Sequence, residues 1–246
     1  MKSRFLLLLV VLMVAMNGCK AQNEKNIVYD ENASVRKIKG FTSIKLSGAI
    51  DLYLSQGNEE AVAVSAASKE AEAQIKTVVK NGVLEIYPES NGISWKSWGD
   101  TKMKAYVTFK SIDNLEASGA CNIKVSQTIK GSDLSISMSG ASDFAGAVSV
   151  SNLKIEASGA SNYKISGAAD NVKIDASGAC GIKGYNLKAQ TCKVEASGAS
   201  SIRISVEKEL RAEASGGSSI TYKGNAIVKE NDASGGSSIK RKTDDD

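Results

Sequence analysis

The side chains that could do covalent chemistry are few, and their usual partners are missing. The chain of 246 residues contains no histidine. Ser–His and Cys–His nucleophile pairs, histidine metal sites and the commonest general base are therefore excluded. Serines are abundant, but they stand in turn-forming phrases. No P-loop occurs, and no glycine-rich stretch joins a strand to a helix, so a dinucleotide fingerprint is absent. Carboxylates are plentiful, and a pair about 5–10 Å apart is what glycoside cleavage requires. Many acids here would satisfy that spacing, so the signal lacks specificity. Lysines stand beside them, which would keep the acids ionised rather than create a proton donor.

Four cysteines remain: Cys19, Cys121, Cys180 and Cys192. Cys19 has a context of its own. Lys2 and Arg4 precede an unbroken apolar run from Phe5 to Met16, and Asn17-Gly18-Cys19 follows. A run of that length is too short to span a bilayer as a mature helix and reads as an export signal. A small residue before the cysteine resembles the bacterial lipobox, in which Cys19 becomes the lipidated mature N-terminus. Gly18 and Cys19 fit it, while Met16 and Asn17 depart from it. Ordinary secretion with cleavage near Ala21 is the alternative. Either way the chain is expected to leave the cytoplasm, and the lipid reading places it in the cell envelope as an outer-membrane lipoprotein, facing the periplasm or the surface.

The element that positions everything else is a short phrase, Ser-Gly-Ala or Ser-Gly-Gly. It stands at Ser118, Ser139, Ser158, Ser177, Ser197, Ser215 and Ser234, in steps of 21, 19, 19, 20, 18 and 19 residues. A period near 19 is the mark of a stacked repeat. Apolar residues precede each serine at alternate places, as in Leu134, Ile136, Met138 and Leu153, Ile155, Ala157. Another alternating set follows, as in Tyr163, Ile165 and Ile202, Ile204. Period 2 predicts strands with one buried face on either side of a glycine turn. One such coil cannot bury its face alone, whereas stacked coils place parallel strands about 4.8 Å apart around a dry interior. The predicted fold is all-β: a right-handed parallel β-helix, or β-solenoid, with coils of about 19 residues. The single proline, Pro88, lies outside the repeats, as ladders needing every N–H require.

The outward columns carry charge. Acids recur two places before the serine (Glu116, Glu156, Asp175, Glu195, Glu213, Asp232), and bases four before it (Lys154, Lys173, Lys193, Arg211) and six after it (Lys124, Lys164, Lys183, Arg203, Lys240). Stacked carboxylates repel, but a basic column two residues along the same face lies within diagonal reach. A solvated salt-bridge lattice is expected; a carboxylate ladder collecting Ca²⁺ is the rival, although Ca²⁺-binding solenoids place Asp in glycine-rich turns rather than mid-strand. Cys121 and Cys180 share one column with Ser142, Ser161, Ser200 and Ser218, three coils apart at roughly 14 Å, beyond disulfide reach. Cys192 takes an inward apolar place. Three buried free thiols are expected, with no catalytic residue and no metal or other cofactor.

In chain order, residues 1–19 read as a lipoprotein signal and 20–34 as a polar tether. Residues 35–239 form the solenoid, with irregular N-terminal coils over 35–110 and regular repeats over 111–239, and 240–246 form a charged tail. Ser47-Gly48-Ala49 is an early copy of the phrase, 71 residues before the next. A short, thinly amphipathic helix is expected within Glu70–Val79, and strands at Val83–Ile86 and Met103–Phe109. Between these strands a polar loop holds both tryptophans, Trp95 and Trp98. They could stack on sugar rings or a partner's apolar surface, or instead cover the solenoid's open end. Without Lys2 and Arg4 the mature chain is close to neutral, with 31 basic residues reduced by those two against 27 acids. No basic stripe with interleaved aromatics is visible along the sequence, so nucleic acid is not an expected partner.

Arg36-Lys37-Ile38-Lys39-Gly40-Phe41-Thr42-Ser43-Ile44, then Leu46-Ser47-Gly48-Ala49-Ile50-Asp51-Leu52-Tyr53-Leu54-Ser55-Gln56-Gly57, resembles the opening of the head GIN domain family of putative auto-transporter adhesins. Asn81-Gly82-Val83-Leu84-Glu85-Ile86 looks like its next strand pair, and Glu116-Ala117-Ser118-Gly119-Ala120 with its echoes like its repeats. The resemblance covers roughly residues 35–239. It implies a bacterial, β-helical, secreted or lipid-anchored protein and supplies no catalytic residues. The expectation is a cell-envelope lipoprotein whose solenoid binds a glycan or protein ligand. A structural envelope protein without a dedicated ligand, and a polysaccharide-active enzyme, are the alternatives.

Overall fold

The computed structural model describes residues 33–89 and 102–242. The repeat phrase dictates what is seen from Asn114 onward. Strands β8 (Asn114–Gly119), β9 (Asn122–Val125), β10 (Ile129–Lys130) and β11 (Asp133–Met138) lead into long strands: β12 (Asp143–Ala157), β13 (Asn162–Ala176), β14 (Gly181–Ala196) and β15 (Ser201–Ala214). Shorter strands β16 (Ser219–Lys223), β17 (Ile227–Ala233) and β18 (Ser238–Arg241) finish the stack. Successive coils pair in parallel and in register: Ile136, Ile155 and Ile174 are Cα partners across β11, β12 and β13. The molecule is thus a β-solenoid of stacked parallel coils.

Period-2 side chains fill its interior. Ile44, Leu115, Ile136, Ile155, Ile174, Val194 and Ala212 form one inward column, each of them inaccessible to solvent. A second column on the next face runs through Leu52, Ile123, Phe144, Tyr163, Ile182, Ile202 and Ile220. Phe144 and Tyr163 meet there, ring centroids 6.0 Å apart. The buried Tyr163 hydroxyl is satisfied by donating to the Glu156 carbonyl at 2.7 Å. Unequal coil lengths are absorbed locally. The coil from Ser177 to Ser197 holds the extra residue, and register shifts flank it at Lys164/Ser166 and Gly184/Lys188.

The N-terminal part is threaded out of chain order. It comprises β1 (Ser34–Arg36), β2 (Ser43–Gly48), β3 (Ile50–Gln56), β4 (Ala61–Ser65), α1 (Lys69–Ala73), β5 (Ile75–Lys80), β6 (Val83–Pro88) and β7 (Met103–Phe109). Ser47 of β2 is the direct Cα partner of Ser118 in β8, despite the 71 residues between them. The intervening segment folds onto the opposite edges of β2 and β3, through β6 and β7. Antiparallel strands then cover that end of the stack: β5 on β6, β4 on β7, and β1 on β4.

Helix is confined to α1, capped by Ser68, whose hydroxyl accepts the Ala71 N–H at 3.2 Å. The rest of the helix expected over Glu70–Val79 is strand. Asn81-Gly82, both with positive φ, turn β5 back onto β6, and β-branched Thr77, Val78 and Val79 suit that pairing.

Candidate functional site

Each coil turns its corner at the Ser-Gly phrase, and the turn is built from stacked glycines. Gly119, Gly140, Gly159, Gly178, Gly198 and Gly216 all have positive φ, and each backbone carbonyl accepts from or crowds the next coil. Ala141 N–H donates to Gly119 O, Ala160 N–H to Gly140 O and Ala179 N–H to Gly159 O, all at 2.7 Å. A Cβ at Gly159 would stand 2.5 Å from the Gly140 oxygen. The column that follows donates inward. Ser161 Oγ bonds Ser158 O at 2.9 Å, and Ser200 Oγ bonds Ser197 O at 3.0 Å. Cys180 and Cys121 occupy the same place, with Sγ at 3.1 Å from Ser177 O and 3.4 Å from Ser118 O. These two thiols are turn donors standing in for hydroxyls. Cys192 is a core side chain, its thiol pushed up to about 12 by burial. Burial also raises Cys121. All three are free.

Fixing the corner fixes the face beside it. On the sheet before the serine, outward side chains rise once per coil in four adjoining columns. The outermost is amide- and hydroxyl-rich: Asn152 Nδ2 donates to Asp133 at 2.7 Å, Asn171 Nδ2 to Asn152 at 2.9 Å, and Thr191 Oγ1 to Asn171 at 2.9 Å. The basic column is next, then the acidic column, then the serines. Between acids and serines runs an open groove of about 760 Å³, from Glu116 to Asp232. A second, of about 560 Å³, lies between the amide ladder and the lysines.

The charges on this face pair chiefly within a strand rather than diagonally. Lys154 meets Glu156 at 2.6 Å, Lys173 meets Asp175 at 3.0 Å and Lys193 meets Glu195 at 2.8 Å, while the cross-coil contact of Lys193 to Glu213 is 4.0 Å. Residues i and i+2 share a face, so a lysine bends along its own strand to its acid. The hydrogen bond from Lys154, aided by Ser137, holds the Glu156 carboxyl below the usual range, and Lys193 does the same for Glu195. Lys154 and Lys193 are raised by the same bonds. Such acids are acceptors, not proton donors, and the grooves present arrays of acceptors and hydroxyls to an extended partner.

The basic column six places after the serine is on a different face. Cα partners run in unbroken register from Tyr106 and Tyr53 through Lys124, Ala145, Lys164, Lys183, Arg203 and Thr221 to Lys240. The two tyrosine rings stack at 5.1 Å, and Lys124 Nζ stands over the Tyr53 ring at 5.8 Å. Among the described residues, Lys164, Lys183, Arg203 and Lys240 make no ion pair. Reading along the sequence misses this stripe, because its members are about one coil apart. The period of the lysines was the available signal.

The residues singled out for lipidation and ligand stacking, Cys19 and Trp95 with Trp98, lie outside the described residues. Among the described residues no group of three or more Cys, Asp or Glu side chains is placed to hold a metal ion, and no helix is long and apolar enough to cross a membrane.

Known proteins resemble this arrangement. The family model described as "Putative auto-transporter adhesin, head GIN domain" matches residues 40–226. A crystal structure of a "putative adhesin" from Bacteroides fragilis superposes with a TM-score of 0.78 at 20% identity, covering 86% of this chain and 98% of that one. A "putative adhesin" from Parabacteroides distasonis gives 0.69 at 19% identity, covering 85% and 96%. A "putative lipid binding protein" from the same species gives 0.64 at 20% identity, covering 87% and 98%. At these identities the structures share the fold, and none of the three is named as an enzyme. No curated protein matches.

Proposed function

The chain belongs to the family of putative auto-transporter adhesins with a head GIN domain, and from that premise we propose that it is an exported binding protein that adheres through the side of its solenoid. In this reading Cys19 carries the lipid that holds it in the envelope, and residues 20–34 tether the solenoid away from the membrane. The ligand is an extended glycan or protein segment lying along the coils. The observation that carries the reading is the shape and repetition of the exposed surface: open grooves whose polar groups recur once per coil from Glu116 to Asp232. A linear partner meets the same contacts repeatedly on such a surface, so weak contacts add along its length. The lowered Glu156 and Glu195 carboxyls support binding over glycoside cleavage, which needs one acid raised.

The test compares cells expressing the full chain with cells lacking it, for retention on immobilised acidic polysaccharide, neutral polysaccharide and matrix protein. Retention on at least one coating, above cells lacking the chain, supports adhesion; equal retention on all of them refutes it. The anchor is tested separately. Cys19→Ser should move the protein from the membrane fraction to the soluble fraction, and equal membrane retention after a mild salt wash would remove lipidation from the reading.

A further inference from the structure

We propose that the unpaired cationic ladder of Lys124, Lys164, Lys183, Arg203 and Lys240 is a binding site for a linear acidic polysaccharide laid parallel to the solenoid axis. This names the ligand class for the adhesion reading and rests on it. Two observations set the ladder apart from the rest of the surface.

The first is charge. The bases of the groove face are neutralised by their own acids: Lys154 by Glu156, Lys173 by Asp175, Lys193 by Glu195 and Arg211 by Glu209. The ladder cations have no such partner among the described residues. The acids on their own face are Asp51 and Asp143, one column away. Asp143 accepts from Asn162 at 3.0 Å instead of pairing with a lysine. Like charges at consecutive positions of a parallel ladder repel, and the fold gains nothing from keeping them bare. A polyanion that supplies the missing charges relieves that repulsion.

The second is shape. Lys164, Lys183 and Arg203 occupy consecutive coils in register, about 4.8 Å apart, and the whole column from Tyr106 to Lys240 extends roughly 38 Å. It is one residue wide. A line of charge matches a chain, whereas an anionic bilayer is a plane and is usually met by protruding apolar groups as well. The exposed large apolar side chains of the described residues, Val35 and Ile227, are not in this column. Single-stranded nucleic acid is bound by aromatic platforms between the cations. Here the aromatics are confined to one end, and Tyr53 and Tyr106 stack on each other. The flanking column instead offers Asn122, Asn162, Ser201, Ser219 and Ser238, whose amides and hydroxyls suit sugar hydroxyls.

The experiment uses the full chain and three variants: Lys164→Gln/Lys183→Gln/Arg203→Gln; the equal-charge control Lys154→Gln/Lys173→Gln/Lys193→Gln; and the rescue Lys164→Arg/Lys183→Arg. Probes are polygalacturonate, neutral dextran, anionic phospholipid vesicles and a single-stranded oligonucleotide, each over a salt series. Polygalacturonate should bind the parent, and the ladder variant should lose at least about tenfold in affinity at low salt, with a shallower salt slope. The groove control should change less than about twofold, and the arginine rescue should bind like the parent, since bound polyanion depends on local charge. Unaltered melting of each variant confirms that these exposed changes leave the fold intact. Equal loss in the ladder variant and the control overturns the proposal, as does binding of vesicles or oligonucleotide in preference to polygalacturonate. If cells are retained on neutral or protein coatings while polygalacturonate does not bind, the ladder proposal falls and the adhesion reading stands. If polygalacturonate binds through the ladder but no coating retains the cells, the adhesion reading falls and the ladder stands.

Discussion

Replacing Gly159 by alanine tests how closely the coil corners stack. Gly159 has φ +71°, and an added Cβ would meet Gly140 O at 2.5 Å, Gly140 N at 3.0 Å and Gly140 C at 3.3 Å. Two costs combine there. Holding an alanine in the left-handed region costs about 1–2 kcal/mol. Moving the corner off its neighbour also weakens the Ala160 N–H to Gly140 O bond of 2.7 Å, worth a further 0.5–1.5 kcal/mol or about that. Backbone cannot rotate away as a flexible side chain can, so the expected loss is about 2–4 kcal/mol. Two other glycines separate the causes. Gly82 has φ +77° but nothing within 4 Å of its would-be Cβ. Alanine there carries the backbone strain alone, about 1 kcal/mol after the gain from a stiffer unfolded chain. Gly217 has an ordinary φ, and its Cβ would lie 3.7 Å from Gly198 O. Alanine occupies the matching place at Ala160 and Ala179, so Gly217→Ala should be neutral or stabilise by about 0.5 kcal/mol. The assay is urea unfolding of the full chain followed by circular dichroism, read as a midpoint shift at constant slope. Faster amide exchange at Ala141 and Ala179 should accompany Gly159→Ala, because adjacent coils share the stack. The reasoning is refuted if Gly159→Ala costs no more than Gly82→Ala.

Ile155→Asp puts a carboxylate without a partner at a position inaccessible to solvent and should cost several kcal/mol or about 3–5, whereas Lys154→Asp, one residue away on the exposed face, should cost under about 1 kcal/mol; thermal unfolding of both checks the face assignment. Cys121, Cys180 and Cys192 should react slowly with an aromatic disulfide reagent in the native protein and rapidly in denaturant, since all three are buried and burial suppresses the thiolate at Cys121 and Cys192; fast native modification or a Cys121–Cys180 bridge would contradict this. The depressed Glu156 and Glu195 carboxyls contribute stability above the ordinary glutamate pKa near about 4.3, and this is lost as pH falls through their lower folded values. Their partners Lys154 and Lys193 contribute below the ordinary lysine pKa of about 10.4, and this is lost as pH rises through their higher folded values. Melting temperature should therefore be flat between these limits and fall outside them, with a smaller fall in Lys154→Gln/Lys193→Gln.

The two basic columns show why net charge is a poor guide to this surface. Lys173 and Lys183 are ten residues apart in the chain, yet one is held at 3.0 Å by Asp175 and the other meets no acid among the described residues. A near-neutral total conceals a paired face and a bare one, and only the bare one has charge left for a partner.

The amino-acid sequence alone determined the coil: a glycine corner every 19 or so residues, and alternating apolar residues such as Leu153, Ile155 and Ala157 on one buried face. Both are local properties, set by backbone sterics at glycine and by the two-residue repeat of a strand, so they are legible without knowing what stacks on what. It also showed that Cys121 and Cys180 share a column, though not that their thiols donate to the turn carbonyls. Only the tertiary structure decided the order of stacking. Ser47 pairs with Ser118 while β6 and β7 take the outer edges of β2 and β3, because a strand has two hydrogen-bonding edges and its apolar pattern does not say which neighbour takes which. Only the tertiary structure separated the two basic columns. Lys154 and Lys164 differ in fate because the chain turns a corner at Gly159 between them, carrying one toward Glu156 and the other onto a face whose nearest cations, at Lys183 and Arg203, come from the next coils.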